Sequence, residues 1–346
     1  MNDASDHPHG DAGQQVNDSV HPFAILDPSF ILDAIETAGY QVDGRVTALN
    51  SYENRVYQIG IEDDLPLIAK FYRPNRWSKA QILEEHQFTN ELVEADLPVI
   101  CALKKQQQSL FSYQDFYFSL YPRKGGRAPE LDNDENLFIL GRFLGRLHSV
   151  GANSDFQHRP SITSQTYGHE SVQLISEKFI PSDLKTAYDT LTADLLSAID
   201  GQLDECAPYQ NIRVHGDCHI GNILWRDDIP HFIDFDDSRM APAIQDIWML
   251  LSGSKQEQQQ QLLEVLDGYS EFAEFNSEEL RLVEILRTLR MLYFSAWLAR
   301  RWDDPAFPMG FPWFNTNRYW EEHILSLREQ LFALSEPPLS IDPYNT

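Results

Sequence analysis

The spacing of apolar residues changes along the chain and predicts a strand-rich first part. A helix is predicted between Asp27-Pro28 and Gly39, because these residue types suit an N-cap, a first helical position and a C-terminal stop. From residue 45 onwards apolar positions recur every second residue, which is typical of strands. Strands are predicted over residues 45–50, 55–62, 65–72, 109–113 and 116–121, and one helix over 79–95. This order predicts an antiparallel sheet that carries one helix.

The second part of the chain is predicted to be mostly helical. It begins at the Gly- and Pro-rich residues 122–126, which are typical of a boundary between lobes. Leucines spaced three and four residues apart form an apolar stripe at Leu137, Leu140, Leu144 and Leu147. Further helices are predicted near residues 183–204, 244–251, 255–268, 277–301 and 317–334. We therefore predict an α+β fold with a disordered polar tail (1–22), a sheet-containing N-lobe (23–121) and a larger helical C-lobe (122–346).

Composition and charge narrow the range of partners. The 346 residues include 53 acidic and 27 basic side chains, which gives a formal net charge of −26. Such a surface repels phosphate backbones and anionic lipid headgroups, so we expect neither nucleic acid nor a membrane as a partner. The cysteines are odd in number and far apart, which indicates a reducing compartment. The first residues lack the basic and apolar regions of a signal peptide, and we expect a cytoplasmic protein.

Residues 214–237 carry the groups from which we predict chemistry. The segment begins Val-His-Gly-Asp-Cys-His-Ile-Gly-Asn and ends Ile-Asp-Phe-Asp-Asp, with a polar turn between two short apolar runs. This hairpin is expected to place Asn222 and Asp234 close together, with Asp217 on the adjoining loop. Asp217 and Asn222 have the spacing of the kinase loop H-R-D-x-x-x-x-N, and Asp234 stands where the Asp of D-F-G would be. Phosphoryl transfer needs a carboxylate that orients the attacking hydroxyl and oxygen ligands that hold Mg²⁺ on the nucleotide. The segment therefore predicts an ATP- and Mg²⁺-dependent phosphotransferase.

Each part of this pattern is weak evidence by itself, because carboxylates at the end of a hairpin commonly serve as turn residues. The pattern gains weight from Lys70, which lies in an apolar run that resembles the kinase V-A-I-K strand. An isolated strand lysine more often lies at an edge with its ammonium group in water. A glutamate on the following helix is expected to pair with Lys70. Glu84 and Glu85 point about 100° apart on that helix, and we favour Glu85.

The loop that would cover the nucleotide differs from that of protein kinases. Neither G-x-G-x-x-G nor a Walker motif occurs, and Ser51-Tyr52-Glu53-Asn54 stands between the first two strands instead. Ser51 and Asn54 can offer side-chain and backbone hydrogen bonds where glycines would offer the backbone alone. An ordinary hairpin turn would explain the same four residues without any ligand.

These motifs resemble those of one enzyme family. His-Gly-Asp-x-His-x-Gly-Asn-Ile-Leu from residue 215 and Ile-Asp-Phe-Asp from residue 233 are similar to the aminoglycoside phosphotransferase and choline kinase branch of kinase-like folds. Within that branch, residues 51–57, 84–88 and 141–148 resemble the bacterial stress-response kinase A group. The resemblance covers about residues 25 to 335 and implies a two-lobed protein-kinase-like fold.

The resemblance also implies an activity and roles for individual residues. It implies a cytoplasmic, monomeric Ser/Thr protein kinase that phosphorylates protein substrates and itself, and that counters envelope or oxidative stress. Asp217 would be the catalytic base, and Asn222 and Asp234 would bind Mg²⁺. The other roles it implies are nucleotide contact by Ser51, phosphate contact by Lys70, adenine pairing by the hinge backbone at Tyr121, and bracing of the catalytic loop by Asp246.

Three alternatives compete with this hypothesis. A kinase of the same fold could act on an amino alcohol, an aminoglycoside or a sugar, and no sequence feature separates that acceptor class from protein. A metal-binding or redox protein could use His215, Cys218, His219 and His231, but their spacing suits no tetrahedral zinc site. A neighbouring aspartate would raise the pKa of Cys218, so we interpret this thiol as a packing residue. A pseudokinase would lack Lys70, Asp217, Asn222 or Asp234, and all four are present.

Overall fold

The computed structural model describes residues 21–206 and 208–341. The predicted disordered tail over residues 1–20 lies outside this part of the chain. His21 and Pro22, which were assigned to the same tail, belong to the folded part instead. The His21 ring accepts a hydrogen bond from the Phe23 amide, and Pro22–Ile25 forms a 3-10 turn. The folded N-lobe therefore begins two residues before the predicted boundary.

The N-lobe is a five-stranded antiparallel sheet that packs against helix α1 (Pro28–Thr37). The strands are β1 (Val42–Leu49), β2 (Arg55–Ile61), β3 (Leu67–Phe71), β4 (Phe111–Tyr113) and β5 (Phe116–Pro122), in the order β1-β2-β3-β5-β4. As predicted, Asp27 caps α1 and accepts a hydrogen bond from the Phe30 amide at 2.8 Å. Apolar side chains of α1 and of the sheet face form one buried cluster, which fixes the strands relative to the helix.

Helix α2 (Lys79–Glu94) connects the sheet to the C-lobe. Ser78 and Gln81 form a capping box at its start, so the helix begins at a defined residue. The buried Phe88 packs edge to face on Phe235, which follows the predicted metal-binding aspartate. The helix that carries Glu84 and Glu85 is therefore held against the catalytic segment.

The C-lobe is mostly helical, as predicted. Its helices are α3 (Asp134–Gly151), α4 (Glu170–Lys178), α5 (Lys185–Glu205), α6 (Ile244–Trp248), α7 (Lys255–Ser270), α8 (Val283–Ala299), α9 (Ala306–Gly310) and α10 (Asn317–Ala333). Its short strands are β6 (Ile212–Val214), β7 (Ile223–Arg226), β8 (Ile229–Phe232) and β9 (Arg239–Ala241), paired β6 with β9 and β7 with β8. In the described part of the chain, no helix is long and apolar enough to cross a membrane.

Glycines bring α3 and α7 into close contact beneath the catalytic segment. A Cβ atom on Gly141 would lie 2.0 Å from the Val265 carbonyl oxygen, and one on Gly145 would lie 2.6 Å from that of Tyr269. Only glycine allows the two backbones to approach so closely. The contact sets the position of His148, one turn further along α3, whose Nδ1 lies 3.1 Å from the Tyr269 hydroxyl.

Candidate active site

A β-hairpin brings the predicted catalytic residues together. Strands β7 and β8 are joined by a tight turn in which Asp227 and Asp228 have φ angles of 52° and 57°. Beyond the last strand pair, the Ile233 amide donates to the Asn222 carbonyl oxygen at 3.0 Å. Asn222 Nδ2 donates in turn to the Asp217 carbonyl oxygen at 2.9 Å and lies 3.4 Å from Asp217 Oδ2. Asp217, Asn222 and the segment that carries Asp234 are therefore neighbours, as the sequence predicted.

A cavity of about 380 Å³ lies between the two lobes at this hairpin. The predicted site residues that line it are Ser51, Lys70, Glu85, Tyr121, Asn222 and Asp234. Asp217 is joined to its rim through Asn222. A larger cavity, of about 550 Å³, is lined by residues of α5, α8 and α10 and by none of these motif residues. The predicted motif residues therefore lie at the smaller cavity, which is the one between the two lobes.

Asp246 holds the catalytic loop from beneath, as the resemblance implies. Its Oδ2 accepts from the His215 amide and its Oδ1 from the Gly216 amide, both at 2.8 Å. Its Oδ2 also lies 3.1 Å from His148 Nε2, and the carboxylate is completely buried. Gly216 has a φ of +83°, and a Cβ atom there would lie 2.3 Å from the Asp237 carbonyl oxygen. These contacts fix the backbone directly before Asp217.

Asp217 is held in its ionised form by two neighbouring side chains. Arg290 Nη2, on α8, lies 2.6 Å from Asp217 Oδ1, and His219 Nε2 lies 3.6 Å from Oδ2. Burial alone would raise the pKa of Asp217, but the His219 hydrogen bond and the Arg290 charge hold it well below its ordinary value. The carboxylate is therefore ionised at neutral pH and can accept a hydrogen bond from an acceptor hydroxyl. The sequence analysis did not identify Arg290.

Lys70 forms its direct ion pairs with two aspartates, so the predicted direct pair with Glu85 is wrong, although the Glu85 charge also acts on Lys70. Lys70 Nζ lies 2.9 Å from Asp234 Oδ1 and 3.2 Å from Asp236 Oδ1. Burial opposes the charge on Lys70, but both carboxylates outweigh it and hold its pKa well above the ordinary value. Glu85 is buried, as expected, but its partner is Arg159, with Nη2 at 3.3 Å from Glu85 Oε2. Lys70 therefore contacts Asp234 and Asp236, and Glu85 contacts Arg159, whereas a direct contact between Lys70 and Glu85 had been predicted.

Glu84 does not simply face solvent, as the sequence had suggested. Its carboxylate accepts the consecutive backbone amides of Gln157, His158 and Arg159, with distances between 2.6 and 3.0 Å. Because these bonds fix the loop before Arg159, they position the partner of Glu85. Both glutamates therefore hold the segment at Arg159. Glu84 binds its backbone amides, and Glu85 binds the Arg159 side chain.

Asp236 is a functional candidate that the sequence analysis missed. It is buried, accepts from Asn54 Nδ2 at 3.1 Å and pairs with Arg76 as well as Lys70. The Asn54 amide oxygen also accepts the Arg73 amide at 3.1 Å. Both ends of the Asn54 amide are thus used within the protein, which argues against the nucleotide contact predicted for it. The signal in the sequence was the second carboxylate of Ile-Asp-Phe-Asp.

The loop between β1 and β2 is docked on the C-lobe. The Tyr52 ring packs on Phe311 with 4.6 Å between ring centroids. The Glu53 carboxylate accepts from Trp297 Nε1 at 2.5 Å and lies 2.6 Å from Arg301 Nε. Ser51 lies at the cavity, and its hydroxyl donates to the Asn54 carbonyl oxygen at 3.3 Å. Among residues 51–54, Ser51 is therefore the one that lines the cavity.

The residues of the metal or redox alternative are engaged elsewhere. His215 Nε2 lies 2.9 Å from the Ile233 carbonyl oxygen, and both His215 and Cys218 are fully buried. Burial and two nearby aspartates raise the Cys218 pKa well above its ordinary value, which disfavours a reactive thiolate. Over residues 21–206 and 208–341, no group of three or more His, Cys, Asp and Glu side chains is arranged to hold a metal ion.

Comparison with known sequences finds kinases of one family. Residues 45–283 match the family described as "Phosphotransferase enzyme family". The chain is 46% identical over 329 residues to "Stress response kinase A" of Escherichia coli (strain K12), covering 95% of this chain and 99% of that one. It is 46% identical over 331 residues to "Serine/threonine protein kinase RdoA" of Salmonella typhimurium (strain LT2), again over 95% and 99% of the two chains.

Solved structures that share the fold include small-molecule kinases. The amicoumacin kinase hAmiN, solved with AMP-PNP and Ca²⁺, superposes with a TM-score of 0.70 at 20% identity over 91% of this chain and 95% of that chain. A microcompartment-associated aminopropanol kinase superposes with a TM-score of 0.66 at 16% identity over 88% and 95% of the two chains. These similarities establish the kinase-like fold, and the sequence identities are too low to transfer an acceptor.

Proposed function

The chain belongs to the phosphotransferase enzyme family and, within it, to the stress response kinase A group, and on that basis we propose that it is a Ser/Thr protein kinase that uses Mg²⁺ and ATP. Kinase activity follows from membership of the family. The protein acceptor, the choice of metal and the biological setting are our proposals. The name of the Salmonella relative supports the acceptor class.

We assign the chemical roles from the geometry of the hairpin. Asp217 orients the attacking hydroxyl and accepts its proton, because it is ionised and lies at the rim of the cavity. Lys70 and Ser51 contact the nucleotide from the N-lobe, and the backbone near Tyr121 pairs with the adenine. Each of these groups acts by position and charge, as expected for phosphoryl transfer.

The donor set at the hairpin fits Mg²⁺. Asn222 offers an amide oxygen and Asp234 a carboxylate into the same cavity, and hard oxygen ligands are those that Mg²⁺ prefers. Two protein ligands are enough, since nucleotide phosphates and water complete such a site in kinases. When bound, the ion neutralises negative charge on the phosphates. Asp234 keeps the Lys70 ammonium close to that charge, at 2.9 Å in this structure.

A single observation favours protein over a cationic small molecule as the acceptor. Asp217 is bordered by Arg290, and Arg239 and Arg76 flank the adjacent Asp237. Aminoglycosides and amino alcohols carry positive charge at neutral pH, and a guanidinium beside the base repels them. A neutral Ser or Thr hydroxyl on a peptide meets no such penalty.

Incubation with labelled ATP distinguishes the two acceptor classes. We expect label on Ser/Thr peptides and on the enzyme itself, and none on a panel of amino alcohols, aminoglycosides and sugars. The Asp217→Asn variant is the control, because loss of the general base lowers transfer by roughly 10²–10⁴-fold while the proposed metal ligands remain. Label that appears on amines alone would refute the protein acceptor.

We also propose that the kinase is a cytoplasmic monomer that acts in a response to envelope or oxidative stress; the name of the Escherichia coli relative supports a stress response. Cells that carry Asp217→Asn in place of the wild-type enzyme should survive oxidative challenge less well. Their phosphoproteome should lack specific Ser/Thr sites. Equal survival and an unchanged phosphoproteome would contradict this part of the proposal.

A further inference from the structure

A third cavity, of about 540 Å³, lies beside the catalytic loop and is strongly basic. The arginines that line it are Arg73, Arg76, Arg239, Arg300 and Arg301, and we call this cavity the arginine pocket. Glu170 is the single acid among its described lining residues. Such a concentration of arginine is unexpected in a chain with 53 acidic and 27 basic residues. Arginine forks match carboxylate and phosphate groups, so the composition points to an anionic ligand.

The arginine pocket is a direct neighbour of the predicted base. Tyr293 lines the pocket from α8, one helical turn after Arg290, which is paired with Asp217. From the opposite side, Arg239 Nη2 lies 3.4 Å from Asp237 Oδ1, and the Asp237 carbonyl oxygen packs against Gly216. A side chain bound in the pocket and a hydroxyl positioned at Asp217 can therefore belong to one peptide, separated by a few residues.

Part of the positive charge in the pocket is already neutralised by the protein. Arg73 and Arg301 pair with Glu53, and Arg76 pairs with Asp236 and Asp237. These three arginines mainly hold the two lobes together. They form walls of the pocket, and a ligand would be bound by donors of other residues.

Two arginines keep donors that no carboxylate takes up within the described residues. Arg300 is exposed, has no ion pair, and places its guanidinium 5.5 Å from the centre of the Tyr293 ring. Arg239 is buried, and its Nε has no hydrogen-bond partner among these residues. Tyr167 and Tyr293 stack at 4.0 Å and form an apolar wall beside both guanidinium groups. A buried donor without an acceptor is costly, which favours an incoming anion.

We propose that the arginine pocket binds an acidic or phosphorylated side chain that lies a few residues from the acceptor Ser or Thr of a peptide. The proposal rests on the proposed function, because it assumes a protein acceptor. It adds the sequence context that the kinase selects. Arg300 and Arg239 supply the donors, and the tyrosine wall supports the adjoining backbone.

Two sets of peptides test this proposal with purified full-length enzyme. In the first, glutamate or glutamine is placed at successive distances from one serine, and kcat/KM is measured for each member. In the second, the serine is replaced by alanine, and affinity is measured by calorimetry without turnover. Arg300→Gln is the test variant, since Arg300 is exposed and forms no ion pair with the residues that the structure describes. Arg281→Gln is the matched control, because Arg281 is exposed and lines a different cavity.

We expect the wild-type enzyme to favour glutamate over glutamine at one distance, and Arg300→Gln to lower that preference by roughly five-fold. Arg300→Glu should reverse the preference, and Arg281→Gln should leave it unchanged. The proposed role of the pocket would be overturned if the acidic and neutral alanine peptides bound equally well. It would also be overturned if Arg300→Glu kept the preference for glutamate. Selective binding of acidic peptides with no phosphorylation of any serine peptide would support the pocket and overturn the proposed protein acceptor.

Discussion

Replacement of Asp246 by asparagine tests whether the catalytic loop depends on its buried bracket. The two Asp246 oxygens accept the His215 and Gly216 amides at 2.8 Å in complete burial. An asparagine keeps one of these bonds, because its Nδ2 is a donor and would face the second amide. An amide left without an acceptor in the interior costs roughly 1–3 kcal/mol. The free energy of unfolding should fall by about that amount.

The same change should lower kcat more than it lowers nucleotide affinity. The amide left without an acceptor belongs to His215 or Gly216, directly before Asp217. Because two donors would face each other there, the loop shifts and the Asp217 carboxylate moves relative to the acceptor hydroxyl. A displacement of about 1 Å can reduce a rate by roughly 100-fold. Lys70 and Ser51 contact the nucleotide cavity from the N-lobe and are expected to retain their positions.

Single-turnover autophosphorylation at saturating ATP gives the rate, and denaturant unfolding gives the stability. Asp267→Asn is the matched control, since Asp267 is an exposed aspartate on α7 and makes the same chemical change. Wild-type rate and stability in Asp246→Asn would refute the bracket. A loss of stability with an unchanged rate would show that the bracket supports the fold and not the position of the base.

Three further changes have outcomes that the structure predicts. Asp234→Ala should abolish the Mg²⁺ dependence of nucleotide affinity, and a titration in which Mg²⁺ and EDTA still differ as in the wild type would contradict its role. Arg290→Gln removes one of the groups that, with the His219 hydrogen bond, lower the Asp217 pKa, so the acidic limb of the kcat/KM profile should move upward; an unmoved limb would contradict the pairing. Burial lowers the His323 pKa to about 4. The unfolded state therefore binds protons more readily below the ordinary value of 6.5, and stability should fall from pH 6.5 towards 4 by up to ~1.4 kcal/mol per unit. His323→Phe should flatten this slope in urea titrations, and an equal slope in both proteins would show that another group causes it.

The catalytic hairpin could be predicted because its groups are close in sequence. Asp217, Asn222 and Asp234 lie within one strand-turn-strand unit, and a hairpin of that length can bring its ends together in few ways. Asp246 follows shortly afterwards on α6, at the next point where the chain returns to the loop. Local pattern was therefore sufficient for this part of the site.

The partners of these groups could not be predicted in the same way. Arg290, Arg159 and Arg76 reach the site from α8, from a loop after α3 and from the turn between β3 and α2. Their contacts depend on how separate elements pack, and helical or strand periodicity carries no information on that packing. The assignment of Glu85 to Lys70 failed for this reason, since the competing guanidinium comes from a loop without any recognisable pattern.

Some elements were also missed because they are too short or too polar. The paired strands β6 and β9 have three residues each, which is less than two periods of alternation. Helix α4 follows a π-helical turn at Ser164–His169 whose sequence is rich in Ser, Thr and Gly. The π-helical turn is capped by a hydrogen bond from the Thr166 amide to the Thr163 hydroxyl, a feature that many turns share.

One buried charge network joins the acceptor side of the cleft to the nucleotide side. Arg76 lines the arginine pocket and contacts both Asp237 and Asp236, and Asp236 lies 3.2 Å from Lys70, which lines the nucleotide cavity. Removal of Arg76 would leave Asp236 short of a buried partner, so lost activity could not be separated from lost stability. Effects within such a network are not additive. Arg300 lies outside it, which is why substitution of Arg300 alone can isolate recognition of an acceptor from the integrity of the site.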